Sequence, residues 1–215
     1  MKRLLYVSQL ADASDARRGA VEMEATAVSA VFRDLGAELV RHDATLGAPP
    51  DPTGFHGVVV GGSFGSANHE EPWRIALREW LGAHRSIPLF GICGGHQLLA
   101  RALGGTVGVA PGPQLGVYPL DLPGVPGFTG RVVQLHFERV EVPPEGAEVW
   151  ATDEMGIQAL RYGPTRWTVQ FHPEMDDAIA RYAGTANGLD DRAWGELDVA
   201  VAGGRVLLAA WVAAL

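Results

Sequence analysis

Hydrophobic residues follow two alternating spacings in the first half of the chain, as expected for strands that are each followed by a helix. Short apolar runs at 3–7, 38–41, 57–60 and 87–92 predict buried strands. Helical spacing predicts a helix over 21–35, a second that begins at Pro72 and a third that follows Cys93. This repeated order predicts a doubly wound α/β fold, with a mostly parallel sheet and helices on both faces.

From about Thr106 the pattern changes to short strands separated by proline and glycine. Candidate strands lie at 116–122, 131–135, 139–142, 148–151, 157–161 and 167–171. Helices are predicted to return after Pro173 and from Ala193 onward, with Gly203-Gly204 as an interruption. We therefore expect a smaller antiparallel region in the second half, within a single domain that spans residues 1–215.

Composition and charge narrow the class of protein. The 215 residues are 47% hydrophobic and 20% charged, which is ordinary for a soluble globular domain. A formal net charge of −8 argues against binding along a nucleic-acid backbone, which needs a basic face. The single cysteine suits a reducing cytosol, and the apolar tract 206–215 is far shorter than the ~20 residues that cross a bilayer. We expect a cytoplasmic protein with neither nucleic acid nor membrane as a partner.

The single cysteine has an unusual setting. Cys93 lies in Gly91-Ile-Cys-Gly-Gly-His-Gln97, between a predicted strand and a predicted helix. A turn of this kind lifts a side chain above the sheet edge, and the unpaired N–H groups of the helix favour a thiolate. The alternative is a small buried hydrophobic residue, but such a residue needs no glycines on both sides. The setting therefore favours a nucleophile.

A cysteine nucleophile needs a base, and that base needs a partner that holds its ring. The segment 167–174 places His172 at the end of an apolar strand, and Pro173 ends that strand. Glu174 is close enough in a turn to accept a hydrogen bond from the imidazole. The alternative is a surface histidine beside a helix-capping glutamate. Together with the turn at Cys93, the catalytic interpretation is the better one.

A tetrahedral intermediate also needs hydrogen-bond donors for its oxygen. The third predicted strand ends in Gly61-Gly62-Ser-Phe-Gly65, which can bring backbone N–H groups close to a ligand. The N–H group of Gly94 could supply a second donor. A simple tight turn is the alternative, and the lysine of a phosphate-binding loop is absent.

Two segments, Gly91–Gln97 and Gln170-Phe-His-Pro-Glu174, resemble the signatures of the class I, triad-type glutamine amidotransferases. The resemblance spans about 57–174 and includes Gly104-Gly105-Thr-Val and Gln114-Leu-Gly116-Val-Tyr-Pro. The arrangement looks like stand-alone domains similar to the glutaminase half of GMP synthase.

The resemblance implies specific roles for eight residues. It makes Cys93, His172 and Glu174 the catalytic triad and Gly62 and Gly94 the backbone donors of the oxyanion hole. It places Gln97, Gln114 and Gly116 at the substrate. It requires neither a metal nor a cofactor.

The sequence departs from the family pattern in three places. Ser63-Phe64 follows Gly62 where a Gly-Gly-Pro sequence is usual, and His136-Phe-Glu138 replaces a His-x-Asp pattern. No synthetase half follows residue 215, so we expect any ATP-dependent synthetase or ligase partner to be a separate chain.

The resemblance implies hydrolysis of the side-chain amide of glutamine through a glutamyl thioester, with release of glutamate and ammonia. Two alternatives stay open at this point. One is a hydrolase or peptidase that acts on a γ-glutamyl compound without a partner. The other is a catalytically silent regulatory subunit. The intact set Cys93, His172 and Glu174 argues against this second alternative.

Overall fold

The computed structural model describes residues 1–10 and 18–215 of the chain. Its strands are β1 (Lys2–Ser8), β2 (Ala37–Asp43), β3 (Gly57–Val60), β4 (Leu89–Ile92), β5 (Thr106–Pro119), β6 (Arg131–Val142), β7 (Glu148–Asp153), β8 (Gly156–Arg161) and β9 (Arg166–Val169). Its helices are α1 (Arg18–Asp34), α2 (Pro72–Ala83), α3 (Gly94–Ala102), α4 (Asp177–Ala186) and α5 (Leu197–Ala214). Short 3-10 helices cover Ala44–Leu46, Pro52–Gly54 and Asp191–Trp194.

Within these residues the strands form one mixed sheet, in the order β2-β1-β3-β4-β9-β8-β6-β5, with β7 paired to β8. Strands β2, β1, β3, β4 and β9 run parallel, whereas the pairs from β9 through β8 and β6 to β5 are antiparallel. Because β3, β4 and β9 are neighbours and parallel, their carboxyl ends meet at one edge, where ligand sites form in such sheets.

Helices cover both faces of the sheet. On one face, α1 and α5 contribute Val28, Phe32, Leu207 and Trp211 to a core that also contains Phe90 of β4. On the other face, α2 and α3 bury their apolar residues against the opposite side of β3 and β4. The fold predicted from the hydrophobic pattern is therefore confirmed, including the antiparallel region of the second half.

Two details of the second half differ from the prediction. The segments 131–135 and 139–142 belong to one continuous strand, β6, and β5 begins at Thr106, ahead of residue 116. Proline and glycine at 111–113 do not end β5, because the pairing with β6 is interrupted between Val109 and Gln114 and then resumes. An irregularity of this kind accommodates an extra residue without ending a strand.

The predicted interruption of the last helix at Gly203-Gly204 was wrong, because α5 is continuous. By length and composition alone, this described helix could cross a membrane, but 44% of it is buried within the protein. Its Trp211 is fully buried and packs edge-on against Phe90, with ring centroids 5.5 Å apart. These contacts are those of a core helix.

Candidate active site

Cys93 occupies a strained turn between β4 and α3. Its backbone has φ 48° and ψ −102°, and it is one of two non-glycine residues with positive φ among those described. A non-glycine residue held in a sparsely populated backbone conformation costs about 1–3 kcal/mol, which surrounding contacts must offset. The amide of Cys93 donates to the carbonyl of Val169 on β9 at 2.8 Å, and its carbonyl accepts from the amide of Gln97 at 3.0 Å.

Close packing behind the turn holds it in place. A Cβ atom on Gly95 would overlap the carbonyl oxygen of Val60 on β3, so only glycine lets α3 approach the sheet this closely. His96 is fully buried, and its Nδ1 atom lies 2.8 Å from Oγ1 of Thr168 on β9. Burial lowers the pKa of His96 to about 3, so this ring is neutral. The first turn of α3 is thus fixed to both neighbouring strands.

His172 and Glu174 lie just beyond the end of β9. Nδ1 of His172 lies 2.8 Å from Oε1 of Glu174, and both side chains are buried. The backbone amide of His172 donates to the carbonyl of Val133 on β6 at 2.8 Å. The carboxylate therefore orients the ring, and the neighbouring strand fixes the height of the turn.

The structure brings His172 to Cys93, although 79 positions separate them. Burial alone would lower the pKa of His172, but the charge of Glu174 and the charge and hydrogen bonding of Cys93 overcome it, so the pKa is raised well above its ordinary value. A Cβ atom on Gly62 would lie 3.4 Å from Cε1 of His172 and 3.9 Å from Cβ of Cys93. Gly62 therefore borders both side chains, as the resemblance implies for a backbone donor.

A second polar contact reaches the sulfur. Nε2 of Gln170 donates to Sγ of Cys93 at 3.6 Å. Gln97 fixes the orientation of that amide, because its own Nε2 donates to Oε1 of Gln170 at 3.1 Å and to the carbonyl of Glu138 at 2.9 Å. Amide donors of this kind favour the negative charge of a thiolate.

These side chains share one cavity of about 420 Å³. Of the residues that the sequence singled out, Gly62, Cys93, Gln97, His172 and Glu174 line it. Gly94 lies directly behind its wall, since a Cβ atom there would lie 2.6 Å from the amide nitrogen of Ser63. Within residues 1–10 and 18–215, no group of three His, Cys, Asp or Glu side chains is placed to hold a metal ion.

The model of the family "Glutamine amidotransferase class-I" matches residues 24–189, a range that contains the whole constellation. The chain belongs to this family. It is 35% identical over 153 residues to one component of the glutamine-hydrolysing GMP synthase of Ignicoccus hospitalis, a match that covers 64% of this chain and 79% of that relative. It is 37% identical over 130 residues to the GMP synthase of Aeropyrum pernix, of which it spans only 24%.

Solved structures of glutamine amidotransferases share the fold. The structure from Methylobacillus flagellatus superposes with a TM-score of 0.77, at 20% identity, over 100% of this chain and 96% of that one. The structure from Thermotoga maritima gives a TM-score of 0.73 at 22% identity, over 98% of both chains. The predicted family is thereby confirmed, and so is the fold.

Two residues that the resemblance placed at the substrate lie elsewhere. Gln114 and Gly116, on β5, are not among the residues that line the cavity. The side chain of Gln114 donates to Asp153 at 2.9 Å and accepts from Gln158 at 3.0 Å within a buried polar cluster. Gly116 packs against the backbone of Ala193. The geometry therefore gives neither residue a contact with a ligand in this cavity.

His136 and Glu138, the departure from the His-x-Asp pattern, form part of the cavity wall. Nε2 of His136 lies 2.5 Å from Oε1 of Gln134, and burial lowers the pKa of this imidazole to about 4. The carboxylate of Glu138 accepts from the hydroxyl of Ser66 at 2.7 Å. His136 is thus a neutral part of the wall, and Glu138 ties β6 to the loop after β3.

Sequence reasoning missed a buried acidic cluster next to the triad candidates. Glu24 of α1 lines the cavity and accepts hydrogen bonds from the hydroxyl groups of Tyr6 and Ser8. Burial raises the pKa of Glu24 to about 7, and the charge of Glu174 adds to the rise, while Tyr6 and Arg41 oppose it. The apolar run 3–7 gave no sign of this cluster, because its members come from different elements.

Glu24→Gln is expected to change how the free energy of unfolding depends on pH. The pKa of Glu24 in the folded protein is about 7 against an ordinary 4.5, so the native state binds the extra proton and wild-type stability falls as pH rises from 4.5 to 7. The buried charge then costs about 3 kcal/mol above pH 7. Urea unfolding at pH 4.5 and pH 8 should show the glutamine variant gaining about that much relative to wild type. A difference that does not change with pH would contradict the assignment.

The turn that holds His172 and Glu174 rests on α5. A Cβ atom on Gly204 would lie 2.5 Å from the carbonyl oxygen of Pro173, and Arg205 donates to that same oxygen at 3.1 Å. The two glycines that the sequence suggested would interrupt the helix instead let it approach its neighbours closely.

Gly204→Ala is therefore expected to displace the turn 172–174. Overpacking of this kind costs about 1–3 kcal/mol, which a thermal or urea unfolding curve would measure, and the turnover of an amide substrate should fall with it. Gly54→Ala is the matched control, because a Cβ atom there meets nothing within 4 Å. Equal stability and turnover in both variants would show that α5 does not support the turn.

Proposed function

We propose that this protein hydrolyses the γ-carboxamide of glutamine by way of a thioester on Cys93. The proposal is carried by one observation: a cavity in which the only cysteine of the chain meets a histidine whose Nδ1 atom lies 2.8 Å from a buried glutamate. Family membership supports it, because relatives of this chain are named glutamine-hydrolysing.

In the first step, the thiolate of Cys93 attacks the amide carbon and forms a C–S bond. His172, held by Glu174, is protonated at this stage because the neighbouring negative charges raise its pKa. It gives this proton to the departing nitrogen as the C–N bond breaks. Ammonia leaves, and the acyl group remains as a thioester on Cys93.

In the second step, His172 accepts a proton from water, which attacks the thioester and releases glutamate. The negative oxygen of each tetrahedral intermediate needs donors that are already in place. The backbone amides beside Gly62 and Gly94 are the candidates, because both glycines lie against Cys93 or the loop that faces it. Loss of one such donor costs about 3 kcal/mol in a step of this type.

Gln97 is the candidate contact for the amino-acid end of the substrate. Both hydrogen bonds of its amide use Nε2, so Oε1 can accept a hydrogen bond from a ligand in the cavity. Its position in the first turn of α3 places it one helical turn from Cys93. Gln114 and Gly116 have no part in this mechanism.

A separate synthetase or ligase chain is the proposed acceptor of the ammonia. The relatives from Ignicoccus hospitalis and Methanococcus maripaludis are each named as one component of a GMP synthase built from more than one kind of chain, and this chain spans 79% and 77% of them. The free thiol suits a reducing compartment, so we place the reaction in the cytoplasm.

The test combines a glutaminase assay with labelling of the purified protein. We expect glutamate and ammonia in equal amounts, and rapid, stoichiometric modification of Cys93 by a glutamine-like diazo ketone. Mass spectrometry of the labelled peptide locates the site. Labelling as slow as that of a free thiol, together with no glutamate, would overturn the proposal and make a purely regulatory role the better interpretation.

A further inference from the structure

The cavity around Cys93 has two chemically different halves. One half carries the polar groups used above, with Gln97, Glu138 and the glycine loop after β3. The other half is mainly apolar and is built from the segment before residue 11, α1, and the start of α4. Its apolar lining consists of Leu10, Val28, Met175, Ile179, Tyr182 and Ala183.

The apolar half is larger than the proposed reaction with glutamine requires. Cavities of about 300–1,000 Å³ enclose drug-sized ligands, and this one has about 420 Å³, whereas glutamine is a small amino acid whose leaving group is only ammonia. Leu10, Val28, Met175 and Ile179 are nearly inaccessible to solvent, so the wall is preformed.

The chemistry of the site determines which part of a substrate would enter this half. The leaving nitrogen must lie beside His172, because that ring protonates it. Met175 follows the turn 172–174 directly and opens the apolar half, and α4 continues it with Ile179 and Ala183. A substituent on the leaving nitrogen would therefore extend along this wall, while the glutamyl end stays near Gln97.

We propose that the substrates of this site include γ-glutamyl amides of alkylamines, with the alkyl group held between α1 and α4. The inference rests on the hydrolysis proposed above. The bonds change as they do for glutamine: the C–S bond forms, the C–N bond breaks, and His172 gives its proton to the amine nitrogen. Water then releases glutamate, so the products are glutamate and the free alkylamine.

The experiment compares kcat/KM for glutamine and for the γ-glutamyl amides of methylamine, n-hexylamine and 1,5-diaminopentane. Methylamine and n-hexylamine are of similar basicity as leaving groups, so their ratio reports the apolar contact. We expect the hexylamide to exceed the methylamide by at least about tenfold, since burial of several methylene groups contributes that much. The aminopentylamide, with a charged end, should not share the gain.

Ala183→Phe fills the apolar half and is expected to lower the ratio of hexylamide to methylamide turnover by about tenfold. Ala178→Phe, on the exposed side of α4, is the matched control and should leave that ratio unchanged. Equal turnover of the hexylamide and the methylamide by wild type would overturn the inference. So would an aminopentylamide that is preferred over the hexylamide, or an unchanged ratio in folded Ala183→Phe.

Failure of the underlying proposal gives a different result. If neither glutamine nor any amide is hydrolysed, then the hydrolysis itself is refuted and this inference with it. If glutamine is hydrolysed and the alkylamides are not, then only the inference about the apolar half is refuted. The wild-type series decides between these outcomes even if Ala183→Phe does not fold.

Discussion

Cys93→Ser is expected to lower kcat/KM for glutamine by at least about 10⁴-fold. The strained turn, the amide of Gln170 and the charged His172 all favour a thiolate at this position. A serine hydroxyl is far harder to ionise, so the same surroundings cannot provide an equivalent nucleophile. The loss is measured by glutamate release at saturating and at low glutamine.

The control for this prediction uses the absence of any other cysteine. In the Cys93→Ser background, Ser86→Cys returns a thiol at an exposed position away from the cavity. We expect alkylation to return at the rate of an ordinary surface thiol while hydrolysis stays lost. Substantial glutaminase activity in Cys93→Ser would show that another group attacks the amide.

Glu174→Gln is expected to lower kcat/KM by about 10²–10⁴-fold while the protein stays folded. The carboxylate lies 2.8 Å from Nδ1 of His172 and helps to raise the pKa of that ring. A neutral amide removes the charge that stabilises the imidazolium, so the pKa of His172 should fall. The pH profile of kcat/KM should accordingly shift toward lower pH.

Glu79→Gln makes the same chemical change at an exposed position on α2 and serves as the control. We expect it to match wild type in both rate and pH profile. If Glu174→Gln loses rate without a change in the pH profile, then the glutamate only shapes the turn and does not act on the charge of His172.

The parallel half of the fold could be predicted because each strand and helix is a local hydrophobic pattern. Strand β3 begins and ends at the predicted residues, and α2 begins at Pro72 as expected. The antiparallel half was harder, because proline and glycine mark both a turn and an irregularity within a strand. In 111–113 they belong to the second kind, which depends on pairing with β6.

The candidate site divides in the same way. Cys93, His172 and Glu174 were predictable because short sequence motifs contain them. The contact of Gln170 with the sulfur, and that of Tyr6 with Glu24, were not, since each joins different elements of the fold. The positions of Gln114 and Gly116 also depend on how β5 pairs with β6, which the sequence does not specify.

The contact between Gly204 and Pro173 has a consequence for the order of events during synthesis. Helix α5 follows every strand of the sheet along the chain, so the ribosome releases the segment that carries the histidine before the helix that supports it. A nascent chain can therefore form its sheet early, but the supported form of the turn appears only once α5 has emerged and docked. Newly made protein would gain its hydrolytic competence late, which protects the cell from uncontrolled consumption of glutamine on polysomes.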